Sequence, residues 1–179
     1  NRTVLLSAND NPDYLKYYPY VVWAWNQLGW DTHLFYLGDH RALLEEFKTA
    51  RVDFKEEHNK ITVLSDFEGY RKETIVQVSR LFGGLVYSDD RLLMTGDVDM
   101  IPLSDYWNPH RDEITCYGWD LTGQGQLPMC YIAMLSSRWR EVMGIPDVTT
   151  IDAEIKRMLD SSPDPKSDDF EKWWGFDQE

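Results

Sequence analysis

The sequence is poor in the residues that several common kinds of site require. It has two cysteines, Cys116 and Cys130, and four histidines, His33, His40, His58 and His110, none at metal-ligand spacing. A zinc finger or ribbon is thereby excluded. Both cysteines fall in expected strands and read as buried free thiols. Positive charge is scarce: 18 Lys and Arg face 31 Asp and Glu, a formal charge of −13. With no basic cluster to neutralise phosphates, neither a nucleic-acid partner nor an anionic membrane surface is expected. A polyphosphate ligand would need a metal ion beside it. No run of about 18 apolar residues is present, so no membrane span is expected. Nothing reads as a signal peptide, and a cytoplasmic setting is expected. Internal repeats and low-complexity tracts are also missing. The chain opens at Asn1 rather than Met and ends at Glu179 inside what reads as a motif. It is expected to be one domain over 1–179, taken from a longer protein.

What is present suits a compact core. Hydrophobic residues make up 42% of the 179, with eight Trp and ten Tyr. That is enough for one core, and a surplus of Trp also serves clefts that stack sugar rings. "RTVLLSAN" (Arg2–Asn9) reads as a buried strand. Asn11 is placed to cap a helix with Pro12 at its first position. Tyr14, Tyr18, Val21, Trp25 and Leu28 then recur at helical spacing up to Gly29, and "DTHLFYLG" is the next strand. This strand–helix–strand opening predicts a parallel α/β sheet. Further helices are expected over Arg41–Ala50, Arg71–Leu81 and Thr149–Asp160, and one from "SSRWREVMG" capped by Ser136 or Ser137. Further strands are expected at Ile61–Leu64, Arg91–Thr95, Ile114–Gly118 and Met129–Leu135.

The stretch "LLMTGDVDMIPL" (Leu92–Leu103) places two carboxylates, Asp97 and Asp99, at the end of a buried strand. Charges that close repel and resist desolvation unless something compensates them. Three explanations stand side by side. The pair could hold a hard divalent cation, since residues i and i+2 of a strand point the same way. Asp97 could be a phosphotransfer nucleophile with Asp99 as its acid–base partner, although that motif normally follows a first strand. Or both could simply cap turns. An EF-hand loop is excluded, because Ile101 falls at its third ligand position and the Gly and Glu are absent.

With the motif in this context, the chain resembles nucleotide-sugar-dependent glycosyltransferases of the GT-A fold. In that family a D-x-D ends a central strand and binds the metal–diphosphate of the donor. The pattern "VLLSANDN … TGDVDMIPL" is also similar to small glycosyltransferase domains of large algal DNA viruses. The resemblance covers nearly the whole chain, including "PMCYIAMLSSRW" and "WWGFDQE". It implies a single GT-A-like, Rossmann-related α/β domain with a mostly parallel central sheet flanked by helices. It implies a UDP-sugar donor, a carbohydrate acceptor and Mn²⁺ or Mg²⁺, and, for a viral protein, the host cytoplasm. By the same resemblance the loop Ser7, Ala8, Asn9, Asp10 and Asn11 contacts base and ribose. Asp97 reaches the ribose or a water on the metal, Val98 lies between the carboxylates, and Asp99 is the main metal ligand. Asp177 and Gln178 match a D-Q element beside the transferred sugar, which favours retention of configuration. One departure is that no histidine follows His110 to complete the metal site.

Other candidates rest on position. Trp119 and Asp120 follow a strand, where acceptor contacts or a plain turn both fit. Trp173 and Trp174 suit a sugar platform or the core. Arg71, Lys72, Arg80 and Arg91 lie nearest the motif, and Arg80 is chosen to meet the diphosphate. "LTGQGQLP" precedes no helix and is not a phosphate cradle. Readings from other classes are an aspartate-dependent phosphatase or phosphotransferase, and a non-catalytic carbohydrate-binding module.

Overall fold

The structure is a computed structural model and describes residues 1–87, 90–118 and 129–161. Six strands form one sheet in the order β3-β2-β1-β4-β6-β5: β1 (Arg2–Asn9), β2 (Asp31–Leu37), β3 (Asn59–Val63), β4 (Leu92–Thr95), β5 (Thr115–Cys116) and β6 (Ile132–Leu135). The first four run parallel, while β6 is antiparallel to both β4 and β5. The expected mostly parallel α/β sheet is therefore what forms. The chain runs outward from β1 to β3, then returns to place β4 on the other side of β1. That reversal opens a crevice between the carboxyl ends of β1 and β4, where open α/β sheets bind ligands.

The central strands β1, β2 and β4 are buried on both faces, so their alternate residues divide between two cores. Val4, Leu6, Leu34, Tyr36, Leu92 and Met94 join one core, with Tyr18, Val22 and Trp25. Leu5, Phe35, Leu37 and Leu93 join the other, with Ile75, Val78 and Trp139. The first core is covered by α1 (Pro12–Leu15), α2 (Tyr18–Gln27) and α3 (His40–Ala50), and the second by α4 (Lys72–Ser79), α5 (Ser136–Val142) and α6 (Ile151–Asp160). No helix among the described residues is long and apolar enough to cross a membrane.

Several local expectations change. The single first helix is two. Asn11 does cap α1, accepting from the Asp13 N–H at 3.0 Å. The helix then breaks, and α2 restarts with Pro19 in its first turn, where a missing N–H costs nothing. Tyr14, read at the same helical spacing as Tyr18, Val21 and Trp25, is 40% exposed while those three are buried. Neither Ser136 nor Ser137 caps α5, whose N-cap position is Leu135. The Ser136 hydroxyl accepts from the Arg91 N–H, and Ser137 donates to Asp90. The strand expected from Met129 begins only at Ile132, so Cys130 lies in a turn. The helix expected over Arg71–Leu81 ends at Ser79 and tightens into a 3₁₀ segment, Arg80–Leu85. There a Cβ on Gly83 would meet Leu5 Cδ1 at 2.2 Å, so the glycine lets this segment lie against β1.

Candidate functional site

β1 and β4 deliver their polar residues to one crevice by continuing the alternation of the core. On β1, Leu5 faces the α4 side, and Ser7 and Asn9 follow at the same parity. On β4, Leu93 faces that side, and Asp97 keeps the parity just past the strand end. Gly96 makes the approach possible: a Cβ there would meet Val4 Cγ1 at 2.8 Å and Leu6 Cδ2 at 3.3 Å. Val98 points inward and is 6% exposed, leaving Asp97 half-buried and Asp99 exposed on either side of it. The carboxylates thus sit in a turn beyond the strand rather than within it.

The crevice is a cleft of about 280 Å³. Ser7, Ala8 and Asn9 line it from β1, Asp97, Val98 and Asp99 from the turn, and Met129 and Cys130 from the turn before β6. α4 supplies Glu73, Val76, Gln77 and, at its C-cap, Arg80. Those four positions are spaced i, i+3, i+4 and i+7, which is one helix face. Of the residues chosen from the sequence, Ser7, Ala8, Asn9, Arg80, Asp97, Val98 and Asp99 come together here. Asn11 does not line the cleft, because its side-chain oxygen caps α1. Trp119, Asp120, Trp173, Trp174, Asp177 and Gln178 lie outside the described residues.

Two polar pairs organise the cleft. Arg80, 7% exposed, donates from Nη1 to Asp97 Oδ1 at 2.7 Å and to the Gly96 carbonyl at 3.3 Å. This compensates one of the two crowded carboxylates. Asn9, also 7% exposed, donates from Nδ2 to Glu73 Oε1 at 3.0 Å and accepts the Asn11 N–H at 3.1 Å. Each end of the Asn9 amide thus has one protein partner, which fixes its orientation and leaves a second N–H and a second lone pair. Glu73, Gln77 and Tyr14 were not singled out from the sequence. The signal for Glu73 and Gln77 was their register with Arg80 on one helix face. The other nearby cations are used differently. Lys72 pairs with Asp10 at 3.3 Å, and Arg91 lies at the opposite end of the sheet against Asp31.

Beside the carboxylates the backbone is unusual. Tyr131 has φ +63°, the left-handed region that side chains other than glycine rarely adopt. Its N–H donates to the Thr95 carbonyl at 2.8 Å, and its own carbonyl accepts the Tyr117 N–H at 3.0 Å. Burial, then Asp97, pushes the Tyr131 hydroxyl above the ordinary phenol range and the Cys130 thiol above its ordinary value. Both therefore stay neutral at pH 7. Trp107 lies over Tyr131 with ring centroids 4.3 Å apart, and Tyr117 and Tyr106 extend this aromatic wall towards solvent.

The donor set can be tested against a divalent ion. Among the described residues no group of three or more His, Cys, Asp and Glu side chains could form a metal cage. The cleft nevertheless carries Glu73, Asp97 and Asp99 against Arg80 alone, a formal −2. One or two carboxylates completed by phosphate oxygens and water is how Mg²⁺ is commonly held. The residues fit an ion that arrives with a phosphate ligand, not one caged by protein alone.

No protein-family model matches the chain, and no curated protein matches it. Among solved structures, the chain is similar to the galactosyltransferase LgtC in complex with donor and acceptor sugar analogues. The TM-score is 0.50 at 14% identity, over 87% of this chain and 69% of that one. At that identity the likeness is one of fold.

Proposed function

We propose that the protein is a glycosyltransferase that moves a sugar from a nucleotide-diphosphate sugar, UDP by the sequence resemblance, to a carbohydrate hydroxyl. One observation carries this reading. A D-x-D turn with one carboxylate held by a buried arginine and the other exposed closes a cleft at the switch point of an α/β sheet. A sheet of this fold in a galactosyltransferase supports it.

Asp99, with Asp97 beside it, would hold Mn²⁺ or Mg²⁺ together with the donor diphosphate. When bound, such an ion offsets the charge that grows on the departing nucleoside diphosphate. Arg80 fixes Asp97 and keeps the two carboxylates from repelling each other out of position. Val76, Val98 and Met129 give the cleft apolar walls that limit water. The neutral Cys130 and Tyr131 add no further negative charge beside the leaving group. Tyr106, 67% exposed at the end of the aromatic wall, offers a ring face to an acceptor sugar. Asp177 and Gln178 are proposed to lie beside the transferred sugar, with retention of configuration favoured. Trp119, Asp120, Trp173 and Trp174 are proposed to help shape the sugar sites.

Calorimetric titration of a UDP-sugar with Mn²⁺ and with chelator tests the reading. Binding is expected only with the ion, and Asp99→Asn should abolish that dependence while the protein stays folded. Equal affinity in every condition would overturn it. Asp177→Asn should retain metal-dependent binding and lose roughly 10²–10⁴-fold in transfer rate. Transfer at the wild-type rate would remove Asp177 from the chemistry.

A further inference from the structure

The cleft has a second acidic station on α4. Glu73 sits in the first turn of α4 and lines the cleft. Asn9 engages one of its oxygens and holds the carboxylate in place. The other oxygen keeps its acceptor capacity, in a cleft that Ser7, Ala8 and Tyr14 also line. Glu73 and Arg80 are seven residues apart on one helix face, roughly 10 Å of helical rise. Val76 lies between them on that face. The cleft therefore offers an acidic acceptor at one end, an apolar floor, and the Arg80–Asp97–Asp99 group at the other.

We propose that Glu73, oriented by Asn9, is the residue that recognises the ribose hydroxyls of the bound nucleotide. This rests on the donor reading above, which places the diphosphate at the Asp99 end and the nucleoside towards β1. A carboxylate can only accept hydrogen bonds at neutral pH, so it selects ligand groups that donate. A ribose diol offers two donors. The uracil edge offers one N–H flanked by two carbonyl oxygens that a carboxylate repels. Carboxylates read ribose hydroxyls in dinucleotide-binding α/β folds for the same reason, there from a strand end and here from the first turn of a helix. Asp97 is the rival for this role, but its carboxylate is held by the buried Arg80 at 2.7 Å and, in the donor reading, is turned to the metal beside Asp99. Asn9 is then a positioning residue: it presents Glu73 and does not read the base.

The test measures binding of UDP, 2′-deoxy-UDP and 3′-deoxy-UDP with Mn²⁺ to wild type, Glu73→Gln, Glu73→Ala, Asn9→Ala and Asp97→Asn. Wild type should prefer UDP to at least one deoxy analogue by about tenfold, the worth of one charge-assisted hydrogen bond. Glu73→Ala should bring that ratio close to one. Glu73→Gln keeps the shape of the pair and should leave a smaller preference. Asn9→Ala should lower the ratio without removing it. A ratio unchanged in Glu73→Ala, or no preference in wild type, overturns the proposal. So does loss of preference in Asp97→Asn alone, which would give the ribose to Asp97. Tighter GDP than UDP binding that Glu73→Gln abolishes would assign Glu73 to a guanine edge, also overturning it. If wild type binds no nucleotide with Mn²⁺, the donor reading itself fails. Melting temperatures separate a misfolded variant from a ligand effect, and Glu73→Gln answers the question if Glu73→Ala unfolds.

Discussion

The two ends of the sheet carry the same kind of ion pair in different surroundings. At the amino-terminal edge Arg91 Nη1 reaches Asp31 Oδ2 and Thr3 Oγ1, both at 3.2 Å, and its guanidinium lies over Tyr87. His58 Nδ1 lies 2.9 Å from the same aspartate. Asp31 there has positively charged or polar partners on both of its oxygens. At the carboxyl edge Arg80 meets Asp97, but Asp99 remains without a hydrogen bond among the described residues, and Glu73 stands across the cleft. An Arg–Asp pair with its charge accounted for ties strands together. The same pair with acidic charge left over, in an open cleft, invites a cation. The surplus, not the pair, distinguishes the site.

Removing a carboxylate from each end should separate them most sharply. Asp99→Asn is expected to lower sugar transfer about 10²–10³-fold, the usual scale for losing one electrostatic contributor to a reaction, with little change in melting temperature. Asp31→Asn should leave transfer within about twofold and lower stability instead. Parallel rate and melting measurements decide this, and a rate loss in Asp31→Asn as large as in Asp99→Asn would erase the distinction.

Removing the arginines comes next in size. Arg80 is 8% exposed in its side chain against 31% for Asp97. Arg80→Met strips the partner from a half-buried carboxylate, a change that costs several kcal/mol when burial is complete. Because Asp97 still reaches water, about 2 kcal/mol is expected. The double variant Arg80→Met/Asp97→Asn should recover part of it in denaturant unfolding. No recovery would mean that Arg80 acts by packing rather than by charge.

Much of this fold was legible because local rules agree with the global one. The run Val4–Leu6 announces a strand and Asn11 before Pro12 a cap, and both form. The need to compensate Asp97 and Asp99 was legible because two adjoining charges at a buried strand end repel, and Arg80 supplies part of that compensation. Arg80, chosen among four neighbouring cations to meet a diphosphate, lines the cleft but pairs with Asp97, and nothing local showed that Arg91 would lie at the far end of the sheet. Glu73 was invisible for a different reason. Its role depends on α4 lying over β1 so that it meets Asn9, 64 residues away in the chain. Pro19 could have announced the break between α1 and α2, but the apolar periodicity running through it masked the signal. Ser136 looked like a cap, and the strand beside it claimed its hydroxyl first.

The amino-terminal half of the sheet also buries a histidine. His33 is 1% exposed, with Nδ1 3.0 Å from the Tyr87 hydroxyl and Nε2 2.8 Å from Thr62 Oγ1. Burial first, then Lys60 and Arg91, lowers its pKa from 6.5 to about 3. The unfolded chain therefore takes up a proton below about pH 6.5 that the native state refuses until about pH 3. Stability from this group is complete above pH 6.5 and falls as pH drops through that window, by up to roughly 1.4 kcal/mol per unit. Unfolding at pH 7, 6, 5 and 4 should show a shallower fall in His33→Gln than in wild type. Parallel curves would mean that His33 titrates normally. The carboxyl-edge cleft holds no histidine, so Asp99→Asn should leave this difference between the two slopes intact.

The smallest expected effect is Arg91→Lys. Lysine keeps the charge but loses the fork that lets one guanidinium reach both Thr3 and Asp31 while lying on Tyr87. The Arg91 side chain is 16% exposed and that of Asp31 29%, so solvent screens part of the pair. Partly exposed ion pairs contribute at most about 1 kcal/mol, and a cation over an aromatic ring adds a comparable amount that lysine partly retains. A loss of about 0.5–1 kcal/mol in denaturant unfolding is expected, reduced further in high salt, with metal-dependent nucleotide binding unchanged. Arg80→Lys makes the contrast. Nearly buried, and donating to both Asp97 and the Gly96 carbonyl, Arg80 has little room for a substitute, so its replacement should weaken nucleotide binding as well as stability. If the two lysine variants behave alike in both assays, the ends of the sheet are equivalent and the surplus charge at Asp99 has no partner to attract.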